Sequence, residues 1–84
     1  MTETEKKVLG FVDRRRRLEA WHADKTDAIV LTPLEKLGLT SLEIVEVVMD
    51  CEQEFLIEIP DDAYSEATTI AALAADSDRR KAKA

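Results

Sequence analysis

The 84-residue chain has one cysteine, one histidine, two glycines and two prolines. A single thiol, Cys51, excludes an internal disulfide and with it the disulfide-rich secreted scaffolds. So little Gly and Pro leaves scant material for the turns of a many-stranded β barrel. No stretch approaches the ~20 apolar residues of a membrane span. Met1–Lys7 is polar, with no apolar run behind it of the length a signal peptide needs, so a reducing cytoplasm is the expected compartment. Also missing are a metal-ligand cluster, a nucleophile–base pair and a phosphate-binding Gly loop, which disfavours an independent enzyme.

What the chain does have is charge, unevenly placed. The net −6 conceals three regions. Residues 1–30 carry seven bases against six acids, residues 31–78 carry Lys36 against twelve acids, and residues 79–84 add four bases. The central block repels nucleic-acid phosphates and anionic lipid and is drawn to a basic protein surface. The 45% apolar fraction suits a folded chain, and the length suits one domain with a simple core. That domain is expected over 1–78, with 79–84 as a frayed basic tail.

The pattern predicts an all-α bundle of three main helices plus one or two short ones. Val8, Phe11, Val12 and Leu18 recur at helical spacing over Glu3 to about Ala20. Arg15 falls on that stripe, which implies methylenes along the core edge and a guanidinium in water. Residues 21–31 form a connection whose run Ala28–Leu31 packs back onto the bundle. Thr32-Pro33-Leu34-Glu35 has the form of a capping box with Pro at the first helical position, and Gly38 suits a left-handed stop. Thr40-Ser41-Leu42-Glu43 repeats the box and opens the strongest helix, running to about Phe55, with Ser41 at its first position.

Apolar residues on that helix cover more than one stripe. Leu42, Val45, Val48 and Met49, with Glu52, lie on one side; Ile44, Val47, Cys51 and Phe55 lie on another. The width suggests one face for the core and one for a partner. Leu56–Pro60 reads as an extended connector, Asp61–Ser65 as a short helix, and Thr68 or Thr69 as the cap of a final helix. Residues 76–84 are expected to fray.

Leu37-Gly38-Leu39-Thr40-Ser41-Leu42-Glu43, the acidic helix ending in Phe55, and Glu58-Ile59-Pro60-Asp61 together resemble the acyl carrier proteins. The likeness runs without insertion from Leu37 to about Ala75. It implies that Ser41 receives a covalent 4′-phosphopantetheine arm from coenzyme A, whose thiol carries an acyl group as a thioester. A phosphodiester there sits near unpaired N–H groups and the positive end of the helix dipole. The resemblance also implies a docking face of Thr40, Leu42, Glu43, Val45, Glu46, Met49, Asp50 and Glu52. Its implied partners are a phosphopantetheinyl transferase, an acyl-loading ligase or acyltransferase, and downstream synthase enzymes with basic surfaces. The carrier is expected to be a monomer that binds no nucleic acid.

Each feature also has a plainer reading. A serine at a helix start is commonly only a capping-region residue, and an acidic run is commonly a solvated face. Arg14–Arg17 reads more readily as a solvated or self-paired face than as a docking site, Trp21 as a packing anchor, and Cys51 as an inert core thiol. Thr40 stands where the family usually has Asp, and Pro33 where it has a loop Phe, whose space Leu31 or Leu34 must fill. Small Cys51 and Ala67 leave open either an enlarged acyl cavity or compensating packing. The competing functions are an aminoacyl or peptidyl carrier, whose Gly-Gly-His/Asp-Ser pattern Gly38-Leu39-Thr40-Ser41 does not match, and an acidic interaction module without an arm.

Overall fold

The computed structural model describes residues 1–17 and 26–83. They form α1 (Glu3–Arg15), α2 (Thr26–Val30), a 3-10 turn (Leu34–Leu37), α3 (Ser41–Phe55), a second 3-10 turn (Asp61–Ala63) and α4 (Ile70–Lys83). This is the all-α fold expected, and no strand occurs among the described residues. Leu18 and Trp21, expected to pack, lie outside the described residues, as does 18–20 of the predicted first helix. That helix ends earlier than predicted, at Arg15, because Arg16 turns to extended backbone (φ −143°, ψ 104°).

α1 begins with a reciprocal cap that the sequence reading passed over. Thr2 Oγ1 accepts from the Glu5 backbone N–H at 3.0 Å, and Glu5 accepts from Thr2 N–H at 2.7 Å. Val8, Leu9, Phe11 and Val12 are buried against α3 and α4. From α3 come Ile44, Val47, Val48 and Cys51; from α4, Ile70, Leu73 and Ala74. Ile29 and Val30 of α2 and Ile57 and Ile59 of the connector complete the core. Val48 is thus a core residue, not a member of the outward row with Leu42, because α3 presents it inward with Val47.

Three segments depart from expectation, the first being Thr26–Val30, which is helical where a connection was expected. The Thr32 capping box does not form: Thr32 Oγ1 instead donates to the Ala28 carbonyl at 2.7 Å, closing α2, while Pro33 caps the 3-10 turn without a side-chain bond. A 3-10 turn bonds at i→i+3, so the reciprocal geometry of an α-helical N-terminus is lost. At the other end, residues 76–83, expected to fray, are helical. Buried Ser77 anchors that last stretch, and Asp76 pairs with both Arg79 and Arg80. Thr4 Oγ1 donates to Asp78 at 2.6 Å, and Lys81 stands 4.7 Å from the Phe55 ring centre. Thr69, rather than Thr68, caps α4 by accepting from Ala72 N–H at 3.0 Å.

Candidate functional site

Local chemistry fixes the start of α3. Gly38 ends the preceding turn at φ 95°, a conformation that favours glycine. A Cβ there would stand 2.8 Å from Arg16 Nε, so the bare Cα also makes room for the guanidinium. Thr40 Oγ1 then accepts from Glu43 N–H at 3.2 Å, and Glu43 Oε1 accepts from Thr40 N–H at 2.9 Å. The Thr40 N–H chiefly holds the Glu43 carboxyl below its ordinary value, helped by the Thr40 hydroxyl and the charges of Arg16 and Arg15. The predicted box is present, and it places exposed Ser41 at the first helical position.

Ser41 is not alone. Its Oγ donates to Glu66 Oε1 at 2.7 Å across 25 residues of sequence. Glu66 reaches it because segment 66–69 is stitched to 33–35: Leu34 N–H donates to Thr68 O at 2.9 Å and Glu35 N–H to Glu66 O at 3.1 Å, beside a Pro33–Thr69 bridge. Sequence reasoning missed Glu66, since only the return of the chain brings the two side chains together. Thr68 and Thr69, marked as helix-start signals, were the nearest clue to where that return occurs.

Of the expected docking residues, Leu42, Val45 and Met49 lie exposed in one row at 69%, 38% and 50%. Thr40 is exposed and Glu43 half-buried beside them. The remaining acids are engaged by other parts of the chain. Arg15, expected to put its guanidinium in water, pairs with Asp50 at 2.7 Å and approaches Glu46 at 3.7 Å. The Asp50 side chain is only 18% exposed, and an acid so placed needs its cation. Glu52 accepts from Ile59 N–H at 3.0 Å and so holds the connector.

The departures from the family pattern resolve individually. Leu34 is fully buried and Leu31 is 70% exposed, so Leu34 fills the space beside Pro33. Cys51 is buried in the core, and burial pushes its thiol up to about 12, as befits an inert group. Ala67 is exposed and lines no interior. A groove of about 500 Å³ is lined by Glu52, Glu58, Ile59, Pro60 and Arg80, without either small residue. The arginine run divides: Arg14 lies 5.5 Å from the Phe11 ring centre, Arg15 pairs with α3, and Arg16 packs on Gly38.

Among the described residues no helix is long and apolar enough to cross a membrane, and no cluster of His, Cys, Asp and Glu could hold a metal ion. Residues 23–76 match the family described as a phosphopantetheine attachment site. An acyl carrier protein of Porphyromonas gingivalis is 36% identical over 70 residues, covering 83% of this chain and 85% of its own. One of Zymomonas mobilis is 43% identical over 49 residues, covering 58% and 63%. No solved structure matches significantly. The exposed hydroxyl on a helix's first turn fits a covalent phosphodiester, since N–H groups there lack helical acceptors. With a capped serine-bearing helix, an apolar row beside it and relatives matched over most of its length, the chain belongs to the acyl carrier protein family, whose members carry phosphopantetheine and are carriers rather than enzymes.

Proposed function

We propose that Ser41 is the attachment point and that the protein delivers acyl thioesters to partner enzymes in fatty-acid, polyketide or a related specialised pathway. The observation that carries this reading is the exposed Ser41 hydroxyl at the first position of α3. The bound arm supplies the thiol and its reach; the chain supplies position and recognition. The first turn directs N–H groups and the dipole toward the phosphodiester. Leu42, Val45 and Met49 offer a partner an apolar centre at helical spacing. Thr40 and Glu43 flank it, and Glu46 is reachable from solvent at its 46% exposed side chain. Asp50 and Glu52 serve this face from behind, by holding Arg15 and Ile59. Charge on the face acts chiefly on association rate and partner choice. The proposed partners are a phosphopantetheinyl transferase, a loading ligase or acyltransferase, and synthase enzymes with basic surfaces, met by a monomer in the cytoplasm.

Incubation with coenzyme A and a broad-specificity phosphopantetheinyl transferase tests the reading by intact mass. An arm-sized increment on the wild type that disappears in Ser41→Ala is the expected result. No increment, or one that survives Ser41→Ala, refutes it. A faster gain in Thr40→Asp would show that the carboxylate usual in the family limits loading here.

A further inference from the structure

The Ser41–Glu66 hydrogen bond joins two exposed side chains from distant parts of the chain. Glu66 is otherwise held by its backbone, whose carbonyl accepts from Glu35 N–H. Segment 65–69, turned on itself by Ser65–Thr68 hydrogen bonds, is held by a backbone seam to 33–35 and by the Glu66 clasp to α3. A carboxylate only accepts and a hydroxyl donates one hydrogen, so the clasp depends on the hydrogen of Ser41 Oγ.

Arm attachment removes that hydrogen. Ser41 Oγ bonds to phosphorus of coenzyme A, the bond to the departing adenosine 3′,5′-bisphosphate breaks, and the hydroxyl proton leaves. The remaining ester oxygen has nothing to donate, and the phosphodiester brings a negative charge to a carboxylate already at contact distance. Like charges so close disfavour the old arrangement, in water as in protein. The geometry points to Glu66 as the residue that registers the arm: it clasps Ser41 in the arm-free protein and is expelled on attachment, loosening segment 65–69. This rests on the reading of Ser41 as the attachment point. Enzymes that act on the arm-free protein and those that act on the loaded one then meet different surfaces beside the same serine.

Amide hydrogen exchange at Glu35 reads the seam directly, because its N–H donates to the Glu66 carbonyl. Loading the wild type, verified by mass, is expected to speed this exchange about threefold, the scale of one exposed hydrogen bond. Ser41→Ala, which lacks the donor and adds no charge, is expected to give part of that change without any arm. Glu66→Ala, with melting checked against wild type, is expected to exchange fast from the outset and to gain nothing on loading. Equal Glu35 exchange in arm-free and loaded wild type overturns the proposal, as does an undiminished acceleration in loaded Glu66→Ala. If the wild type takes no arm, the attachment reading fails instead, while arm-free wild type, Ser41→Ala and Glu66→Ala still test the clasp. Equal exchange in those three overturns it.

Discussion

The two apolar rows of α3 are built from similar residues and have opposite fates. Ile44, Val47, Val48 and Cys51 are buried by α1 and α4, whereas Leu42, Val45 and Met49 are open to solvent. Apolarity alone does not distinguish them; the docking of the flanking helices does. The acids of α3 divide in a parallel way. Arg15, Ile59 N–H and Lys7 hold Asp50, Glu52 and Glu54, while Glu43 stays at the front beside Ser41. The excess negative charge of the central block is thus partly answered by α1, and the acidic surface left open to solvent is narrower than the charge count suggests.

The largest expected effect separates the rows by stability. Ile44→Ala should lower the unfolding free energy by about 2–5 kcal/mol, and Met49→Ala by less than about 0.5 kcal/mol, measured by urea titration. Equal losses would erase the distinction between core row and exposed row. Next comes the acid division. Arg15→Gln strands Asp50 at low exposure and should cost about 1–2 kcal/mol, discounted for the solvent that still reaches the pair. Glu43→Gln tests the front of the helix and should cost well under that in the same titration.

Thr40→Ala removes the oxygen that caps α3 and should cost about 1 kcal/mol, with Thr40→Asp close to neutral because it keeps an acceptor. The smallest effect is the pH dependence at the far end of the bundle. Hydrogen bonds from Thr4 and Lys81 hold Asp78 below its ordinary 3.8. Burial pulls Asp76 upward, but Arg80 and Arg79 outweigh it and leave it lowered too. Groups lowered on folding stabilise above their unfolded values and lose that contribution as pH falls through the folded ones. Melting temperature should therefore decline as pH drops below about 4, less steeply in Asp78→Asn. An unchanged slope in that variant would remove Asp78 from the account.

Much of this was legible locally. The Thr40–Glu43 box, the Gly38 stop and the extent of α3 depend on residues within four positions of one another, and each stands where the pattern put it. Cys51 lies in the core, as expected of it. What could not be read depended on distant partners. Arg15 looked misplaced on an apolar stripe until Asp50 came opposite it, and the 76–83 stretch looked free until α4 carried Asp78 to Thr4 and Lys81 to Phe55. Val48 went to the wrong row because a wide apolar helix leaves its boundary to its neighbours. Beside Ser41, the proposed attachment point, the capping box was visible in the sequence and Glu66 was not, because 25 residues and a seam between two loops separate the signal from the contact.

The proposed carrier function rests on one atom, Ser41 Oγ. No Lys or Arg occurs between Lys36 and Arg79, so trypsin releases Leu37–Arg79 as a single peptide that contains the whole of α3 and Glu66. Fragmentation of that peptide after loading should place the entire phosphopantetheine increment on Ser41. An increment on Thr40, Ser65 or any other residue, or a peptide that stays unmodified, would contradict it.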